Sequence, residues 1–117
     1  VEVSGMPEIQ VGEDEIKTFD LRGRLMQPVG YTVQVGAYEN VRNVDRLCRK
    51  LRQEGFSDFY VQVGWTVNMN KKFMFYRNFK IYKVLVGDYK SEKEAKRNMD
   101  KLDYFGFDAF VLKHYTS

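Results

Sequence analysis

An α+β fold of order βαββαβ, with a four-stranded antiparallel sheet and two helices on one face, is the fold class that the sequence predicts. Two observations predict it: an internal repeat, and a change of hydrophobic period inside each copy. Residues 31–63 align without a gap onto residues 82–114 at a constant offset of 51, with eleven identities. Each copy has the pattern of a strand, a helix and a second strand, so two copies can share one sheet.

The first copy opens as a strand with one buried face. Val33 and Val35 alternate with polar residues, and Gly36 ends the run. Gly55 stands where the end of a helix favours a left-handed residue. The apolar positions of that helix are Val41, Val44, Leu47, Cys48 and Leu51. Phe59, Val61 and Val63 then alternate as the next strand.

The second copy repeats these signals. Val84 and Val86 lie in its first strand, and Ser91 with Glu94 forms a capping box that opens the helix. Gly106 is the predicted C-terminal cap, after an apolar face of Ala95, Met99, Leu102 and Phe105. Phe110 and Leu112 are the buried positions predicted for the last strand. Between the copies, residues 64–81 predict a long β-hairpin with its tip near Asn68 to Lys72.

The flank and the composition limit the function classes. Residues 1–28 are predicted to be a linker or flanking segment, with one possible docked strand at 15–21, and residues 29–117 to be the domain. Residues 31–117 carry sixteen basic against ten acidic side chains, a mild bias towards anionic partners. The single cysteine, Cys48, excludes an internal disulfide and is predicted to be a buried thiol. No run approaches the ~20 apolar residues that a membrane span needs.

Strand alternation also predicts which side chains lie on the sheet face opposite the helices. The residues that point away from the helices mix apolar, amide and basic groups, which is typical of a binding surface. They are Thr32, Gln34, Tyr60, Gln62, Ile81, Lys83, Leu85, Val111 and Lys113. The alternative is that the hairpin or the N-terminal segment folds over this face and buries it.

The motifs Tyr31–Tyr38 (YTVQVGAY) and Tyr82–Tyr89 (YKVLVGDY) resemble the two repeats of the SPOR (sporulation-related repeat) domain over about 85 residues. The resemblance implies a ferredoxin- or RNP-like fold and non-catalytic binding of peptidoglycan glycan strands, especially strands without stem peptides. The contacts it implies are Gln34, Ala37, Ile81, Lys83 and Val111. Three positions depart from the family pattern: Ala37 replaces Ser, Ile81 an aromatic residue and Asp88 the familiar Pro.

A binding chemistry follows from these residues. Apolar side chains can pack on the C–H faces of sugars, while Gln34 and Gln62 can pair with N-acetyl and hydroxyl groups. Removal of the stem peptide leaves a lactyl carboxylate, for which Lys83 or Lys113 is the predicted partner. The hairpin aromatics Trp65, Phe73 and Phe75 are further candidates for stacking on the sugar rings.

The resemblance also implies a cellular setting: a periplasmic or cell-envelope module that targets a larger protein to the septal cell wall during division. We expect a monomer with no cofactor, no metal, and no nucleic-acid or membrane contact. The rival interpretation is a protein-interaction or self-association module that uses the open face. RNA binding is disfavoured because Leu85 stands where a stacking ring is needed. No catalytic motif is present, and His114 is predicted to be a solvated side chain.

Overall fold

The computed structural model describes residues 15–70 and 75–114, with residues 66–70 and 75–78 described by their backbone alone. Its strands are β1 (Ile16–Phe19), β2 (Leu25–Met26), β3 (Tyr31–Tyr38), β4 (Phe59–Asn70), β5 (Phe75–Tyr89) and β6 (Phe110–Lys113). Its helices are α1 (Val41–Gln53) and α2 (Glu92–Tyr104). All strand pairs are antiparallel, and the sheet order is β2-β1-β4-β5-β3-β6.

The sheet therefore has six strands where the sequence analysis expected four. Both additional strands come from the N-terminal flank, where β1 pairs with β4 and β2 pairs with β1. Phe19 explains why the flank stays on the sheet, because its side chain is 8% exposed and belongs to the core. Burial of one aromatic side chain stabilises such an attachment by roughly 1.5–3 kcal/mol.

Local signals set the ends of both helices: the caps at Ser91, Gly55 and Gly106 were predicted, and Asn40 is an additional one. The Asn40 side chain caps α1 by accepting from the backbone N of Arg42, and Ser91 caps α2 by accepting from the backbone N of Glu94. Gly55 and Gly106 follow the helices with φ of 90° and 89°, the left-handed region that other residues avoid. Each helix is thus confined to its predicted stretch.

Both helices pack on one face of the sheet and form a single core. The buried residues of α1 are Val44, Asp45, Cys48 and Leu51, and those of α2 are Ala95 and Leu102. They meet the strand residues Val33, Val35, Val61, Val84 and Val86. Burial raises the pKa of the Cys48 thiol to about 11, so it stays neutral and acts as a core residue, as predicted.

An approximate two-fold rotation relates the two copies of the repeat. Tyr31 pairs with Tyr89, and the equivalent positions 51 residues apart, Tyr82 and Tyr38, pair with each other. The Phe56 and Phe107 rings meet edge to face at 6.1 Å. Lys101 lies over Phe56 and its counterpart Lys50 lies over Phe107, at 5.4 and 5.3 Å from the ring centroids. The repeats are therefore packed against each other by reciprocal contacts.

The last strand breaks this symmetry, and the predicted orientation of its side chains is wrong. Val61 lies opposite Val84, so the repeat predicts Leu112 opposite Val33; instead Val111 occupies that place. A shift of one residue exchanges the two faces of a strand. Val111 consequently packs against the core, whereas Phe110 is 48% exposed.

Candidate functional site

The sheet face opposite the helices, which we call the open face, carries a row of side chains across five strands. Met26 pairs with Thr18, Thr18 with Gln62, Gln62 with Lys83, and Lys83 with Ala37. At the usual strand spacing this row is roughly 19 Å long. We call it the floor row. Its members offer a thioether, a hydroxyl, an amide, an ammonium and a methyl group in sequence.

A β-bulge explains how Ala37 reaches the open face, where strict alternation along β3 would exclude it. The pairing of β3 with β5 shifts by one residue between Gln34 and Gly36. Such an additional residue reverses the alternation beyond it. The bulge thus places Ala37, which is exposed, next to Lys83.

A second row, Tyr60, Leu85, Gln34 and Phe110, runs beside the floor row. Its first three members are buried, with exposed fractions of 2%, 1% and 8%, and neighbouring Thr32 is 0% exposed. The expectation that these residues face solvent is therefore wrong. They support the surface from beneath, and the members of the predicted set that are accessible on the open face are Ala37, Gln62, Ile81 and Lys83.

Tyr60 and Thr32 are held by a buried hydrogen-bond network. The Thr32 hydroxyl donates to the carbonyl of Val86 at 3.0 Å. The Tyr60 hydroxyl lies 3.1 Å from Thr32 Oγ1, 2.9 Å from the carbonyl of Gly87 and 2.8 Å from His114 Nε2. Burial raises the pKa of Tyr60, so the phenol remains protonated.

His114 belongs to this network, so its prediction as a solvated side chain is wrong. Besides its contact with Tyr60, its backbone N donates to the carbonyl of Gly30 at 2.9 Å. Burial lowers the pKa of His114, and the nearby Asp88 carboxylate opposes that shift. The imidazole is thereby kept neutral at neutral pH. No local motif marks this role, because it depends on the three-dimensional approach of two distant strands.

The segment that joins β2 to β3 passes along the open face. Asp88 anchors it: the carboxylate accepts from the backbone N of Val29 at 3.3 Å and of Gly30 at 2.7 Å. A side chain at Gly30 would collide with the carbonyl oxygen of Tyr89. Glycine at this position is thus required by the close approach of two backbones.

Between this segment and the sheet lies a groove of about 770 Å³. Its lining residues are Ile16, Lys17, Thr18, Leu25, Met26, Gln27, Pro28, Val29, Gln62, Lys83, Leu85, Leu112, Lys113 and His114. None of them is acidic. Four of the five floor-row residues line it, namely Met26, Thr18, Gln62 and Lys83. The Gln62 amide donates to Thr18 Oγ1 at 3.3 Å, which orients the amide group.

The remaining predicted contacts lie elsewhere. Lys113 pairs with Tyr31, and its ammonium lies 5.5 Å from that ring centroid, so it and Val111 are not on the open face as predicted. Trp65 shares the helix-covered side of the sheet with Val63, and Lys80 lies over its ring. Phe73 lies outside the described residues, as do positions 71–72 of the predicted tip, whereas Asn68–Asn70 belong to β4; Phe75 is described only as backbone in β5.

The described residues contain no group of three or more His, Cys, Asp or Glu side chains arranged to hold a metal ion. Within residues 15–70 and 75–114, neither helix has the length and hydrophobicity needed to cross a bilayer. The open face and its groove are a candidate ligand site among the described residues.

Comparison with known proteins gave one family and one related structure. The family model described as "SPOR domain" matches residues 27–113. The solution structure of the peptidoglycan binding domain of the B. subtilis cell wall lytic enzyme CwlC is 24% identical, covers 77% of this chain and 96% of that chain, and has a TM-score of 0.49. No curated protein matched.

Proposed function

The chain belongs to the SPOR domain family, and from this premise we propose that it binds the glycan strands of peptidoglycan without catalysing a reaction. The glycan lies on the open face over Gln62, Lys83 and Ala37, the part of the floor row that β4, β5 and β3 supply. Strands stripped of their stem peptides bind more tightly than intact strands. The domain thereby brings a larger envelope protein to the septal wall of a dividing cell, on the periplasmic side, and it acts as a monomer.

The observation that carries this proposal is the partly exposed pair of Gln62 and Lys83 in the middle of the floor row. An amide offers a donor and an acceptor, which is what N-acetyl and hydroxyl groups require. Among the described residues, no carboxylate forms an ion pair with Lys83. Its ammonium can therefore pair with the lactyl carboxylate that appears when a stem peptide is removed.

A sedimentation experiment tests the proposal. The full chain is mixed with purified peptidoglycan sacculi, before and after an amidase removes the stem peptides, and the bound fraction is measured. We expect binding to increase on stripping. Lys83→Ala should weaken binding to stripped sacculi about tenfold, equivalent to about 1.4 kcal/mol, because a charged hydrogen bond is lost.

Lys93→Ala is the matched control for that variant. It removes the same charge from an exposed position of α2, on the other side of the sheet. Equal losses in both variants would indicate non-specific attraction to an anionic wall. If the parent chain sediments with neither preparation, peptidoglycan binding is wrong.

A further inference from the structure

The groove is bordered by apolar side chains that contribute little to the core. Six large hydrophobic residues are exposed among those whose side chains the structure describes: Ile16, Leu25, Val29, Trp65, Tyr104 and Phe110. The first three line the groove, with exposed fractions of 72%, 68% and 59%. Exposed apolar groups gathered at one concave surface indicate a binding function.

Two of the groove's apolar residues are aimed at the open face by the sheet itself. Ile16 pairs with Gly64, and Met26 pairs with Thr18, whose partner Gln62 lies in the floor row. The absence of a side chain at Gly64 lets Ile16 lie close above the strand, with its Cγ1 3.3 Å from an ideal Cβ there. Ile16 and Met26 thus lie on the same face of the sheet as Gln62 and Lys83.

The hairpin formed by β1 and β2 is built as a fixed element. Asp20 closes its turn by accepting from the backbone N of Arg22 and Arg24, each at 2.9 Å, and from Arg24 Nε at 2.7 Å. Phe19 anchors it in the core. A hairpin that is already ordered before binding loses little conformational entropy when a ligand binds to it.

We propose that this hairpin forms one wall of the glycan site. It lies outside residues 27–113, which the family model matches. Ile16 and Met26 pack on the apolar C–H face of a sugar ring, while Gln62 and Lys83 bind the polar groups of the same strand. The inference rests on the proposed function and extends its site to two additional strands.

The test is the double variant Ile16→Ser with Met26→Ser in the full chain, measured by sedimentation with amidase-stripped sacculi. Loss of the two apolar contacts should weaken binding about tenfold. Tyr104→Ser is the matched control, because Tyr104 is 84% exposed on α2, on the other side of the sheet, and should bind as the parent does. Urea unfolding midpoints check that all variants remain folded.

The outcomes separate the two claims. A folded double variant that binds as well as the parent overturns the hairpin wall and leaves the proposed function standing. Tighter binding by the double variant also overturns it, since the hairpin would then be a cover over the face. A parent chain that does not sediment overturns both claims.

Discussion

Tyr60 and His114 form a polar contact beneath the open face, and counting the hydrogens shows how it is satisfied. The Tyr60 hydroxyl has one hydrogen but three neighbours: Thr32 Oγ1, the carbonyl of Gly87 and His114 Nε2. Since the Thr32 hydrogen goes to Val86, a hydrogen on His114 Nε2 would let Tyr60 accept there and donate to Gly87. The neutral Nε2–H tautomer therefore satisfies the most groups.

This contact predicts a pH dependence of stability. Burial holds the pKa of His114 below its usual value, with Asp88 opposing and Tyr60 in contact. The unfolded chain then binds more protons than the folded chain, so the free energy of unfolding is at its full value above about pH 6.5 and falls as the pH drops towards the folded pKa. We expect the urea midpoint to decrease between about pH 7.5 and 5.5 in the parent chain and to change less in His114→Gln.

Comparing the parent chain with His114→Gln separates the contribution of the imidazole to the pH dependence from that of other titratable groups. Asp20 has its pKa lowered, chiefly by the backbone hydrogen bond from Arg24, so its own contribution to stability is lost only at a lower pH. Parallel decreases in the parent and in His114→Gln would show that other side chains cause the change.

At the scale of single elements, the N-terminus of α2 is set by one hydroxyl group. Ser91 Oγ accepts from the backbone N of Glu94 at 3.2 Å. We expect Ser91→Ala to decrease the free energy of unfolding by about 1 kcal/mol, because that donor loses its partner. Urea unfolding followed by circular dichroism measures the change. Ser57→Ala, at an exposed loop position, is the control and should be nearly neutral; an unchanged midpoint for Ser91→Ala would contradict the cap.

The same local signals made most elements predictable. The helices and their caps follow from periodicity and from Gly55 and Gly106, which act within a few residues. The register of β6 could not be read in this way. Phe110 and Leu112 alternate, but so do Ala109 and Val111, and both pairs are apolar. Packing against Val33 selects the second pair, and that contact is set by the whole fold.

The candidate site was less predictable than the fold for a related reason. Alternation placed Gln62 and Lys83 on the open face correctly. It gave no information on the bulge that adds Ala37 to the floor row, or on the segment anchored by Asp88. The alternation in residues 15–21 indicated a strand, yet its pairing with β4 depends on Phe19 reaching a core formed by distant residues.

At the scale of the molecule, the two repeats share one core and should unfold together. Phe107 is 4% exposed and meets Phe56 of the other repeat. We expect Phe107→Leu to lower the free energy of unfolding by roughly 0.5–3 kcal/mol, because both packing and the aromatic contact are lost. Trp65, the single tryptophan, lies in β4 two residues beyond the first repeat, so it reports on a different element from the mutated one.

Two probes then decide whether the repeats are coupled. In Phe107→Leu, Trp65 fluorescence and far-UV circular dichroism should shift to the same lower urea midpoint. Tyr104→Leu, at an exposed position of α2, serves as the control. A fluorescence midpoint that stays at the parent value while the circular dichroism shifts would mean that the repeats unfold independently.

The addition of the β1–β2 hairpin to only one side of the sheet has a consequence for polarity. A surface with two-fold symmetry presents the same contacts to a polymer laid along it in either direction. The repeat strands come close to this condition, with Gln34 and Leu85 paired at their centre. A glycan strand has chemically different reducing and non-reducing ends. Because the hairpin borders β4 and no described strand borders β6 in the same way, a bound strand meets different neighbours in its two orientations. On the proposed mode of binding, we therefore expect the domain to bind a glycan strand preferentially in one direction.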